Sequence, residues 1–292
     1  MTLDPSSYDH LTDGQQGSQE PAFNDGRRSS PISKITVFIR LFLYLSLTLI
    51  CLPLQIMLRL IALRQVWEGF CCWYHGRVLS IFGVIVEERG QKCAHSPVLF
   101  VANHNSYFDI EILGAKVRGS FVAMHQVATW PLFGLLAKLQ NTVFIDRRAS
   151  SIAQQQQQIT ERFDRNQNLI IFPEGSSYTS THTLPFRSSL FAVTGHRVGG
   201  KAVSVQPVSI TFARLDGLPL GRGMRAYYGW YGNSPLGPHI VQAAGLGRLT
   251  VVVHWHTPKT ISDFSGNRKA LSAYCESAIK QGMAQARSGK PE

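Results

Sequence analysis

Paired cysteines are missing from this chain. The five that occur, Cys51, Cys71, Cys72, Cys93 and Cys275, are odd in number and never stand in C-x-x-C spacing. That argues against a disulfide framework or a zinc ribbon and fits a reducing compartment. Basic residues are missing from the first 25 positions, which hold Asp4, Asp9, Asp13, Glu20 and Asp25. An acidic stretch ahead of the first apolar run does not read as a secretory signal. Large apolar groups are scarce in residues 1–33, so this segment buries too little surface to offset its ordering entropy and is expected to be a flexible tail. Acids are scarce beyond it: residues 26–292 set 29 Lys and Arg against 13 Asp and Glu, a net of +16 within an overall +11. Such an excess suits an anionic partner, whether nucleic acid, a phospholipid surface or a phosphorylated substrate. With 292 residues, 44% of them hydrophobic, the chain can build one large core.

What is abundant is apolar sequence near the start. Residues 35–63, ITVFIRLFLYLSLTLICLPLQIMLRLIAL, are interrupted only by Arg40, Pro53, Gln55 and Arg59, and nothing between Leu41 and Leu58 is charged. That length is close to the minimum of about 17–20 residues for crossing a bilayer as a helix. Arginine at each end can snorkel to headgroups, and Pro53 is expected to kink the helix. A second stretch, residues 66–88, carries Trp67, Trp73 and Tyr74, types favoured at headgroup level. Residues 34–90 are therefore expected to be membrane-associated helical segments, arranged as an antiparallel hairpin.

From residue 91 to 292 the pattern changes. Short β-branched runs at 97–102, 120–124, 142–146, 168–173, 203–212 and 250–256 read as strands. Helical patterns at 130–139, 151–165 and 188–197 alternate with them, and a last helix is expected near 267–287. Buried strands alternating with helices predict an α/β fold with a mostly parallel central sheet flanked by helices. The QQQQQ run at 154–158 falls within a helical pattern as a solvated face. Pro207, inside an apolar run, is expected at a sheet edge or a bulge.

The stretch VANHNSYFDI holds His104 and Asp109 five positions apart. That offset separates them on a helix and sends them to opposite faces of a strand, so a turn must lie between. A strand ending near Ala102, a polar loop and a helix start supply one, and Asp109 can then reach back toward His104. Two readings fit: Ser106-x-x-Asp109 is a helix-capping pattern, and His with Asp is also a general base with its orienting carboxylate. A second constellation, LIIFPEGSS, ends a buried strand in Pro173-Glu174-Gly175, where ligands of open α/β sheets bind.

In sequence order, NHNSYFD (103–109), VFIDR (143–147), FPEGSS (172–177) and VQPVSI (205–210) resemble the four blocks of the 1-acylglycerol-3-phosphate acyltransferase family. The resemblance covers residues 95–212. It implies transfer of a fatty acyl group from acyl-CoA or acyl carrier protein to a hydroxyl of a lysophospholipid at a cell membrane, with the active domain on the cytoplasmic side. It implies no metal and no cofactor beyond that co-substrate. His104 would be the base and Asp109 its partner. Arg147 would bind acceptor phosphate, Glu174 and Gly175 would shape the acceptor site, and Asn103 and Pro173 would support it. The family's F-P-E-G-T-R departs here to Ser176 and Ser177, which removes a phosphate-binding arginine; Arg187, downstream, could replace it. The expected acceptor is 1-acylglycerol-3-phosphate, giving phosphatidic acid, with a lyso-ornithine lipid, which some bacterial relatives acylate, as the alternative.

Other signals are weaker. GHRVGGKA (195–202) has Ala202 where a phosphate loop needs Ser or Thr. His254 and His256 share a strand face but have no evident third metal ligand. No G-x-S-x-G elbow marks Ser176 or Ser177 as a nucleophile. A non-catalytic lipid-transfer protein would share the apolar hairpin and basic surface without needing His104. A nucleic-acid partner is not expected, because the Lys and Arg are dispersed.

Overall fold

A computed structural model of the chain describes residues 31–61, 63–146, 152–232 and 234–288. Two helices open it, α1 (Pro31–Ile61) and α2 (Arg64–Phe82). They are antiparallel: the Thr48 and Tyr74 hydroxyls lie 2.8 Å apart near the middle, and Gln55 Nε2 donates to Cys71 Sγ closer to the turn. Residues 1–30 of the expected tail fall outside the described residues, and α1 continues through Pro53.

The second helix is shorter than the apolar pattern suggested. Gly83 ends it with φ of 72°, a left-handed cap that donates its N–H to Ser80 O. The β-branched run that follows becomes a strand, β1 (Val84–Gly90), so the sheet begins inside the stretch read as helical. After it come β2 (Val98–Ala102), α3 (Phe108–Lys116), β3 (Ser120–Met124), α4 (Phe133–Leu139), β4 (Val143–Ile145), α5 (Ile152–Asp164) and β5 (Leu169–Ile171). A 3₁₀ segment (Ser188–Gly195) leads to the small hairpin β6 (Arg197–Val198) and β7 (Lys201–Ala202), which is what GHRVGGKA forms. The chain closes with β8 (Ser204–Leu215), β9 (Leu218–Pro219), α6 (Arg222–Tyr228), α7 (Leu236–Ala244), β10 (Leu249–Trp255) and α8 (Arg268–Ser288).

The main sheet runs in the order β1-β10-β8-β2-β5-β3-β4, with β9 paired to β8. Neighbours are parallel except β10 and β9 against β8. Alternation along β2 divides the core. Val98, Phe100 and Ala102 join the cluster under α1, α2, α3 and α7, while Leu99 and Val101 join the cluster under α5 and α8. Each of the buried Val, Leu and Phe side chains among them contributes roughly 1.5–3 kcal/mol.

Pro207 corrects the expectation of an edge or bulge. It sits in β8, a central strand, opposite Val101 of β2. In a strand the N–H and C=O of one residue face the same way, and Pro207 O accepts from His256 N just past the end of β10. The missing N–H therefore faces the last rung of that ladder. The Gln206 side chain takes its place, donating Nε2 to His256 O at 2.9 Å.

Candidate active site

The loop after β2 folds around one carboxylate. Asp109 Oδ2 accepts from His104 Nδ1 at 2.9 Å, Asn105 N at 2.5 Å and Ser106 N at 2.9 Å, and Oδ1 accepts from Asn105 Nδ2 at 3.2 Å. Half of the expected capping box forms: Asp109 returns to Ser106 N, but Ser106 Oγ accepts from Phe108 N rather than Asp109 N, so the carboxylate that closes this turn is also the one that holds the imidazole. Four donors satisfy a carboxylate that is 0% exposed, each hydrogen bond to a charged group contributing about 1.5–3 kcal/mol. Because a carboxylate only accepts, Nδ1 carries the imidazole proton and Nε2 keeps its lone pair. The His104 side chain is 19% exposed, so the ring reaches the cleft while its partner does not. Phe172 stacks on that ring at 4.2 Å between centroids and 16° between planes, which restricts its rotation.

Other expected site residues build the frame. Asn103 continues the β2–β8 ladder with its side chain, donating Nδ2 to Ile210 O and accepting from Ile210 N. Glu174 accepts His104 N at 2.8 Å on one oxygen and Leu184 N at 2.7 Å on the other, so it ties the catalytic loop to residue 184 rather than opening into the cleft. Burial pushes its carboxyl up to about 8 against those two donors, with the nearby Asp109 charge adding to the rise. Pro173 is buried and accepts Arg187 N on its carbonyl. Gly175 has φ of 72°, and a Cβ there would stand 3.0 Å from Arg187 Cζ, so only glycine suits both the turn and the guanidinium lying over it. The Arg187 guanidinium itself has no partner among the described residues, which leaves a cation free beside the catalytic loop. Ser176 is exposed, whereas Ser177 turns inward and donates to Trp230 O. Arg147 lies outside the described residues. His254 and His256 stack on each other at 4.2 Å, and His256 Nε2 meets Ser209 Oγ at 3.1 Å, away from this loop.

Three contributors went unnoticed in the sequence. Asn105 stands inside the first block and gives Asp109 two donors. Phe172 precedes the Pro-Glu-Gly turn and stacks on the base. Trp230 donates its N–H to Asn105 O from more than 100 residues away, beyond the reach of any local pattern.

Behind the loop lies an apolar cavity. Tyr44, Tyr74, Ile110, Phe121, Leu136 and Ile240 each bring a different element to its wall. Phe121 stacks on Phe172, which stacks on His104, so the cavity and the base share one aromatic stack.

A histidine with a free Nε2, held by a buried carboxylate at the end of β2 and backed by an apolar cavity, has the geometry of a general base beside space for a long apolar group. Comparison with known proteins supplies the family. The Acyltransferase family model matches residues 83–211. The lyso-ornithine lipid O-acyltransferase of Brucella abortus is 30% identical over 254 residues, 85% of this chain and 94% of that protein. The 1-acyl-sn-glycerol-3-phosphate acyltransferase of Neisseria gonorrhoeae is 35% identical over 107 residues, 36% of this chain and 42% of that protein. In structure, the 1-acyl-sn-glycerophosphate acyltransferase PlsC of Thermotoga maritima superposes with a TM-score of 0.62 at 18% identity, covering 89% of this chain and 99% of that one. The chain belongs to the acyltransferase family, and it is an enzyme of the O-acyltransferase class.

Proposed function

We propose that the enzyme moves a fatty acyl group from acyl-CoA or acyl carrier protein to the free hydroxyl of a lyso-ornithine lipid. His104 Nε2 takes the hydroxyl proton while the oxygen attacks the thioester carbonyl. The tetrahedral adduct collapses, the C–S bond breaks, and the thiolate leaves with the proton from the imidazolium. One O–H and one C–S bond are replaced by one C–O and one S–H bond, with no acyl-enzyme. Asp109 holds the ring and stabilises its charged form. The acceptor's chain lies toward the apolar cavity, and Arg187 is the cation that would meet the carboxylate of the ornithine headgroup.

The observation that carries the chemistry is the 2.9 Å contact of His104 Nδ1 with a carboxylate that four donors hold in place. The choice of acceptor rests on Ser176 and Ser177, which stand where a phosphate-binding arginine is expected, and on the length over which the lyso-ornithine enzyme matches. The Arg187 cation favours 1-acylglycerol-3-phosphate as the second reading. A purified-enzyme assay offering both acceptors with labelled donor tests this: product from lyso-ornithine lipid is expected to dominate, and product from 1-acylglycerol-3-phosphate alone reverses the choice.

The acceptor is presented at a membrane surface, with the active domain on the cytoplasmic side. The arrangement of α1 supports this, because it is inside out. Tyr44, Thr48, Cys51 and Gln55, spaced for one face, are buried against the protein, while Phe38, Leu49, Ile50 and Leu60 stand 66–78% exposed. Arg40 ties one end to Ala244 O and Leu246 O, and Arg59 ties the other to Leu139 O. A helix held to one body at both ends lies along the bilayer surface rather than through it.

A further inference from the structure

Among the described residues, seven buried side-chain polar atoms have no hydrogen-bond partner. Four of them, Ser180 Oγ, Thr183 Oγ1, Arg225 Nε and Arg287 Nε, belong to one corner, where the loop after Gly175 meets α6 and the end of α8. The contacts that define the corner are explicit. Arg287 donates to Ser180 O at 2.9 Å and to Thr181 O. Gly229, whose N–H bonds to Arg225 O, is so close to this loop that a Cβ would stand 2.8 Å from Tyr178 O and 3.2 Å from Ser180 Oγ. Arg222 and Arg225 make no side-chain hydrogen bond or ion pair with any described residue. Burial, and then the charges of Arg225 and Arg222, push Arg287 down to about 10, and no carboxylate offsets them.

Buried donors are normally paired, and clustered cations normally have a counter-ion. A protein that gathers three guanidinium groups without an acid is arranged for an anion of more than one charge, and planar forked donors match phosphate oxygens. The corner also has a fixed relation to the chemistry. Tyr178 N donates to His104 O and Trp230 N donates to Asn105 O, so both sides of the corner are tied to the catalytic loop without entering it. In a thioester donor a pantetheine arm separates the reacting carbonyl from the phosphates. A phosphate site for the donor must therefore stand off from the reacting groups, and this corner meets the loop of His104 only through the backbone of Tyr178 and Trp230, whereas an acceptor's headgroup lies only a few bonds from its hydroxyl.

We infer that Arg222, Arg225 and Arg287 form a binding site for the phosphate groups of the acyl donor's phosphopantetheine carrier. This rests on the acyl-transfer function proposed above.

The test uses the full chain in phosphatidylcholine nanodiscs and coenzyme A as the probe, titrated calorimetrically. The variant is R222Q/R225Q, because those two side chains hold nothing in the protein, whereas Arg287 also holds residues 180 and 181. An unchanged melting temperature confirms that the variant is folded. Losing charge-assisted hydrogen bonds to phosphate is expected to weaken coenzyme A binding about tenfold or more, with binding to phosphatidylglycerol vesicles unchanged. Equal affinity in variant and wild type overturns the inference. So does a variant that keeps coenzyme A but loses the anionic vesicles, since the corner would then hold a lipid headgroup, and so does a wild type that does not bind coenzyme A. Acyl transfer by the wild type is measured separately, so an inactive enzyme counts against the function and not against the site.

Discussion

Asp109 has two jobs in one oxygen, and a substitution can separate them. Asp109→Asn keeps the size of the side chain and one acceptor oxygen, but it removes the charge that stabilises the imidazolium and puts an NH2 donor where one of the four donors now ends. The turnover number is expected to fall about 10²–10⁴-fold with little change in the donor KM, as steady-state kinetics will show. Glu174 gives a pH signature. Its folded-state pKa of about 8 is raised above the ordinary 4.5, so the stability it contributes is complete below 4.5 and is lost as pH rises through about 8. Melting temperature should therefore drop between these values, and Glu174→Gln should flatten that slope. A variant with the same slope as wild type contradicts the assignment of this titration to Glu174.

At the level of elements, the seat of α8 on the sheet is a close fit. A Cβ on Gly282 would stand 2.3 Å from Ser209 Oγ and 2.5 Å from His256 Cε1. Gly282→Ala forces β8, β10 and α8 apart, an overpacking cost of about 1–3 kcal/mol. It is expected to lower the melting temperature by several degrees while leaving the catalytic loop active. Elements also mark the limit of what the sequence disclosed. The six strands expected from β-branched runs are all present, because buried parallel strands write themselves as short continuous apolar stretches. The strand at 84–90 was hidden because its apolar start continues the run of α2, and only Gly83 divides them. Helices α6 and α7 are short and rich in Gly, Pro and aromatics, so their periodicity is faint. Pro207 misled because the compensating donor, Gln206, is a side chain. The contact between His104 and Asp109 was legible from spacing and resemblance, whereas Trp230 and the arginine corner depend on contacts between distant segments.

At the scale of the whole molecule, the proposed membrane contact rests on one helix. One side of the sheet carries α2, which buries Trp67, Tyr74, Val78 and Phe82, and against it α1, whose apolar residues Phe38, Leu49, Ile50 and Leu60 stand outward. Placing lysines at Leu49 and Ile50 should cost little folding stability, since both side chains are exposed, but should release the protein from vesicles in a flotation assay. Retention on vesicles would contradict a role for this face. The proposed transfer chemistry rests on His104 as the base. Acyl transfer from labelled donor to a one-chain lipid by folded, vesicle-bound His104→Ala, compared with wild type, is the most direct measurement. A loss of about 10²-fold or more is predicted, and turnover close to wild type would contradict the assignment of His104 as the base.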